Sequence, residues 1–246
     1  MSLSNICSIS SSGMEASVAS SSIAAARGRP VTPADSRLVE VPSPLAPLFP
    51  DGGIRRGTTL AVGPLLGGCS LALSLVAAVT DRGGWASAVG LPSLGVAAAA
   101  ELGVDLRRLA LIPDPSEQWT VVVAALLDGF DLLLVRPCRR VRPADARRLS
   151  ARVRERGAVM VLLDCPDWPE SPDIRLSAGP PVWSGIGVGH GLLKARRMEV
   201  VSSGRRVGGR ERHREIWLPS PGGRMDEVIQ PEPKSGRRPP VLEVVG

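Results

Sequence analysis

Five short apolar runs set the terms on which this chain can fold: Thr58–Val62, Trp85–Val89, Leu109–Ile112, Asp131–Val135 and Ala158–Leu163. None alternates apolar with polar residues, so each reads as a strand buried on both faces. Helix-length segments separate them. Ser70–Val79 stops before Gly83-Gly84, and alanine-rich Ser93–Leu102 has Ser93 as its cap and Gly103 as its stop. Ser116–Leu127 carries Glu117 in its first turn and closes before Gly129, and Pro143–Arg156 begins on a proline, the residue suited to a first helical position. Strand–helix repeats of this kind predict an α/β fold: a mostly parallel sheet with helices on both faces.

After Leu163 the pattern changes. Pro166, Pro169, Pro172, Pro180 and Pro181 break up a stretch with no helical period. Met198–Ser202 and Arg214–Leu218 then flank an arginine–glycine turn at Gly204–Gly209 and read as two strands. The chain divides into three parts. Residues 1–41, rich in Ser, Ala and Gly, are expected to be disordered or weakly ordered, with at most a short helix near Ser22–Arg27. Residues 42–218 form the core, entered through an extended, proline-punctuated segment over Val41–Pro50 whose Leu45, Leu48 and Phe49 pack on the domain edge. Residues 219–246 read as a flexible tail.

Composition excludes several functions. The 246 residues are long enough for one full α/β core plus tails, and at 43% hydrophobic but 3% aromatic that core must be built from Ala, Val and Leu. No run is long enough to span a bilayer and no signal-peptide pattern opens the chain, so a cytoplasmic protein is expected. Cys7, Cys69, Cys138 and Cys165 show no paired spacing, and with only His190 and His213 beside them neither a zinc site nor a disulfide framework is expected. The net charge of +6 favours acidic partners such as DNA, although most of it is arginine spread along the chain.

The junction between the first strand and the first helix carries the chemical question. Gly63 and Gly68 hold the spacing of a phosphate-cradling loop, Gly-x-x-x-x-Gly-Lys-Ser/Thr, and Ser70 closes it, but Cys69 stands where the lysine belongs. A cysteine supplies neither the cation nor the reach, and Leu65 and Leu66 make the loop apolar. The expectation is a strand–turn–helix corner with the shape of a nucleotide site and not its chemistry. No triad context points to a hydrolase.

Upstream lies Gly52-Gly53-Ile54-Arg55-Arg56-Gly57, and Leu102-Gly103-Val104-Asp105 with Leu109 follows a strand and a helix later. In this order and spacing, over Leu45–Leu218, the chain resembles the RecA-like ATPase core, and within it the ImuA family, including the actinobacterial ImuA-prime branch of mutagenic-repair accessory proteins. The resemblance implies a water-activating carboxylate after the second core strand, where this chain has Leu91. It also implies a Walker-B aspartate after the strand ending at Val135, where it has Arg136. Asp131 sits at the wrong end of that strand, and Asp164 alone restores little. The expected protein is a pseudo-ATPase with no catalytic residue, cofactor or metal.

By the same resemblance the expected role is an adaptor in DNA damage tolerance. It would bind an ImuB-like, Y-family-related protein and, through it, an error-prone replicative-type polymerase, at the nucleoid when DNA is damaged. Two alternatives stand beside it: a nucleotide-binding or ATP-hydrolysing repair protein with an unorthodox loop, and a regulator of cell division similar to SulA. Arg139, Arg140, Arg142, Arg148 and Arg152 are candidate DNA contacts, against the plainer reading of a solvated basic face. Trp217, Leu218, Val241, Leu242, Val244 and Val245 are candidate partner anchors, since apolar residues set among prolines and arginines suit a segment that orders on binding.

Overall fold

A computed structural model describes residues 37–63, 67–187 and 190–228. The expected parallel strands are β3 (Thr59–Val62), β4 (Ala86–Val89), β5 (Leu109–Ile112), β6 (Leu132–Val135) and β7 (Val159–Leu163). Helices α1 (Gly68–Asp81), α2 (Val96–Glu101), α3 (Trp119–Leu126) and α4 (Pro143–Arg156) connect them. Two further strands, β1 (Leu38–Glu40) and β2 (Gly53–Arg55), pair antiparallel with each other.

The large sheet continues through β8 (Ile174–Ala178), β10 (His190–Ser203), β11 (Arg212–Trp217) and β12 (Asp226–Glu227), in the order β12-β11-β10-β8-β3-β7-β6-β4-β5. Pairing is parallel from β8 to β5 and antiparallel from β8 to β12. β9 (Val182–Gly187) pairs only with β10.

The apolar strands are buried on both faces because each alternate residue meets a different layer. Leu132 and Leu134 join the cluster under α1 and the entry segment, whereas Leu133 and Val135 join the cluster under α3 and α4. This is the α/β architecture that the runs predict, with antiparallel strands toward the C-terminus.

Several local readings are corrected. Residues 43–48 form a 3₁₀ helix, not an extended entry. Leu45 and Leu48, three apart, point the same way in such a helix and are fully buried, so core packing sets the conformation. The proline-broken stretch with no helical period holds strands β8 and β9, which the sequence reading did not assign. α2 starts after Gly95, so Ser93 is not its cap. The segment from Ser116 opens as a 3₁₀ turn before α3. Past Pro219 the chain is still built into the fold: Ser220 is buried, and β12 adds to β11.

Candidate functional site

The C-terminal ends of the parallel strands gather the residues that a nucleotide site would use, at the edge where open α/β sheets bind ligands. Gly63 follows β3 and donates its N–H to the Leu176 carbonyl at 3.0 Å. Gly67 caps α1 at φ 119°, and a Cβ on Gly68 would lie 2.5 Å from the Gly63 oxygen. Positions 67 and 68 therefore admit only glycine. Leu65 and Leu66 lie outside the described residues. Cys69 is exposed, yet the packing around its sulfur pushes its thiol up, so near neutral pH it offers neither cation nor thiolate. The half-buried Ser70 accepts, through its carbonyl, the Ser74 hydroxyl at 2.9 Å.

Leu91 is buried in apolar surroundings where the ATPase resemblance asks for a carboxylate. Arg136, just after β6, reaches Asp164 at 2.8 Å, so the carboxylate that follows β7 is taken up by an arginine, while Asp114 beyond β5 accepts the Ser116 N–H at 2.8 Å. Asp131 sits at the opposite end of β6, buried, where it meets Arg56 at 3.1 Å and accepts the Trp85 N–H at 2.9 Å. Among the described residues no group of three or more His, Cys, Asp or Glu could hold a metal ion. No described helix is long and apolar enough to cross a membrane.

Next to Asp164, Cys165 donates to the Leu163 carbonyl at 3.2 Å. Burial, with the Asp164 charge added, pushes its thiol up to about 12. Alkylation by iodoacetamide at pH 8 should therefore leave Cys165 unmodified in the folded protein and label it on unfolding. Mass spectrometry of the native protein showing full labelling would contradict this.

The arginine stripe splits into two kinds of residue. Arg152 grips Asp128 through two bonds of 2.9 and 2.5 Å, and Arg156 reaches the same carboxylate at 3.1 Å. Hydrogen bonding from Arg152, with the charge of both arginines, holds Asp128 below the usual carboxylate range. Arg152 thus ties α4 to the end of α3 and is a poor candidate for DNA. Arg139 donates to the Glu117 carbonyl at 2.6 Å. Arg140, Arg142 and Arg148 are exposed and form no ion pair among the described residues. Arg139 and Arg140 border a cavity of about 180 Å³ with Cys165 and Trp168.

Of the partner anchors, Leu218 is fully buried and donates its N–H to the Arg196 carbonyl at 2.7 Å, so it is core and not docking surface. Trp217 is half-buried. Val241, Leu242, Val244 and Val245 lie outside the described residues.

One residue escaped the sequence reading. Arg196 on β10 is 7% exposed, and its guanidinium lies beside Gly67 and over Trp183 at 5.2 Å. Its Nε donates to the Leu218 carbonyl at 2.6 Å, while its buried Nη2 has no hydrogen-bond partner among the described residues. The only signal was alternation: Arg196, Met198 and Val200 share one face of a strand, and the other two are apolar.

Residues 47–170 match the family model described as the MT3502 N-terminal domain. The chain belongs to the MT3502 family. A Mycobacterium tuberculosis relative named "Uncharacterized protein Rv3395c" is 41% identical over 152 residues, covering 58% of this chain and 74% of the relative. The MT3502 match runs from the entry segment to just past β7. It contains the glycine corner, Leu91, Arg136 and Asp164, and it stops before β8 and Arg196.

Proposed function

We propose that this MT3502-family protein is a catalytically silent RecA-like adaptor of the ImuA kind, acting in the DNA damage response. It supports error-prone synthesis by holding an ImuB-like, Y-family-related partner. The observation that carries the reading is the Arg136–Asp164 pair at 2.8 Å: a cation stands where the resemblance asks for the metal-binding carboxylate, and it pairs with the acid that follows β7. Without a metal ligand, a water-activating group or the loop lysine, phosphoryl transfer lacks each of its electrostatic supports. The strand order also supports a RecA-like reading, since β3 lies between β7 and β8 and the sheet finishes antiparallel. The partner is inferred from the family resemblance.

The buried Leu218 and the pairing of β12 move the candidate docking segment downstream, to residues 229–246. Truncation after Val228 should leave the melting transition unchanged and the domain soluble. The same truncation should abolish or strongly weaken affinity capture of an ImuB-like protein from damaged cells and reduce damage-induced mutagenesis. Full-strength capture by the truncated chain would place docking on the core. Recovery of a tubulin-like division protein would favour the SulA-like alternative, and ATP turnover above background would sink the silent reading.

A further inference from the structure

At the end of α1 away from the glycine corner, a cavity of about 480 Å³ opens between that helix and the segment joining α2 to β5. The 14 residues of α1 put roughly 20 Å between the two places. The volume is that of a small-molecule site, but the wall is charged where such sites are usually apolar. Among the described residues no aromatic ring lines it.

The segment before β5 builds the cationic wall. Asp105 caps a single 3₁₀ turn over Leu106–Arg108 and accepts the Arg107 N–H at 3.1 Å. Its own N–H goes to the buried Thr80 hydroxyl at 3.1 Å, which fastens the turn to α1. The Asp105 carboxylate takes the Arg107 side chain through bonds of 3.0 and 3.1 Å. Arg108 is held by other groups: it donates to the Gly83 carbonyl at 2.7 Å and lies over the Trp85 ring at 5.7 Å. Asp105 stands off it at 3.8 Å.

The third arginine comes from elsewhere in the chain. Arg224, in the turn between β11 and β12, lays its guanidinium beside Gly103, with its central carbon 3.1 Å from where a Cβ would stand. Gly103, at φ 96°, leaves the room for it. Arg224 is exposed and forms no ion pair among the described residues, and the same holds for Asp81 on the last turn of α1. The helix end adds little negative charge, since the Gly84 and Gly83 N–H groups cover the Val79 and Thr80 carbonyls at 2.9 and 3.1 Å. With Asp105 matched by Arg107, the cavity is left with two cations to satisfy, Arg108 and Arg224, and one acceptor, Asp81.

We propose that this cavity binds a phosphate monoester of a small hydroxylated molecule, of the sugar-phosphate class. The phosphoryl group meets Arg108 and Arg224, whose planar N–H pairs suit its oxygens. A hydroxyl of the same ligand donates to Asp81, which would repel a bare anion. The site uses no part of the glycine corner, needs no metal and performs no transfer. The inference goes beyond the adaptor reading and does not rest on it.

The test is calorimetry of the full chain in EDTA with ribose 5-phosphate, ribose and inorganic phosphate, at matched ionic strength so that general screening is equal. Saturable binding of ribose 5-phosphate is expected, with phosphate and ribose each at least about tenfold weaker. Arg224→Gln should weaken ribose 5-phosphate at least about tenfold and leave the melting transition of the ligand-free protein unchanged. Asp81→Asn should narrow the gap between ribose 5-phosphate and phosphate. Arg210→Gln, which removes an exposed arginine outside the cavity, should leave binding as it is. The proposal is overturned by an absence of saturable binding or by phosphate binding as tightly as the ester. Equal losses in Arg224→Gln and Arg210→Gln would also overturn it, since they would mark attraction to the basic surface at large.

Discussion

Asp173→Ala should lower the free energy of unfolding by about 3 kcal/mol, read from the midpoint of urea denaturation at unchanged slope. Asp173 is 8% exposed and stands just before β8. Its carboxylate accepts the Thr59 N–H at 3.0 Å and pairs with Arg205 at 3.0 Å, and its backbone bonds both Thr59 and Arg206. One side chain therefore fastens the start of β3, the start of β8 and the turn after β10. Arg205 is exposed, so the ion pair contributes little; the cost lies in leaving the buried Thr59 N–H without an acceptor. Asp173→Asn keeps a carbonyl acceptor and should recover at least half of the loss. A shift below about 0.5 kcal/mol in Asp173→Ala would show that the turn holds without it.

Gly90→Ala is the second large effect expected, a loss of at least about 3 kcal/mol or failure to fold. Gly90 follows β4 at φ 75°, and a Cβ there would lie 2.0 Å from the Arg136 carbonyl oxygen. Backbone, unlike a flexible side chain, cannot yield that distance cheaply. Gly208 provides the control: at φ 84° it has nothing within 4 Å of its would-be Cβ, so alanine there carries only the conformational term of about 1 kcal/mol. Comparable midpoints for the two variants would refute the close approach at Gly90.

The parallel half of the sheet was legible because its strands are apolar on both faces and its helices are bounded by glycine. The C-terminal half was not. Ile174-Arg175-Leu176-Ser177-Ala178 does alternate buried with more exposed residues, but prolines on either side hid so short a period. The entry segment misled for a related reason. A residue before proline avoids the α region, which argued for extended chain, yet Pro44 and Pro47 fit a 3₁₀ helix that buries Leu45 and Leu48. At the candidate site, the corner and the missing acids could be read from spacing. The Arg136–Asp164 pair and Arg196 could not, because both depend on which strand ends become neighbours. Leu218 was placed at the end of a core strand but misjudged as a partner anchor from the prolines and arginines around it, whereas its position beside β10 carries it inward.

The placement of β3 has a consequence for a chain made from its N-terminus onward. β3 leaves the ribosome early, but both of its neighbours, β7 and β8, are encoded far downstream; the bond between Thr59 and Asp173 alone spans 114 residues. The Ser202 hydroxyl that binds the Leu48 carbonyl arrives 154 residues after it. Until then a strand that is buried along its whole length in the fold has two unpaired edges, the condition under which nascent chains aggregate or recruit chaperones. The region matched by the family model, which ends before β8, covers only one of those edges. A shortened chain that stops there would remain, in effect, a translation intermediate.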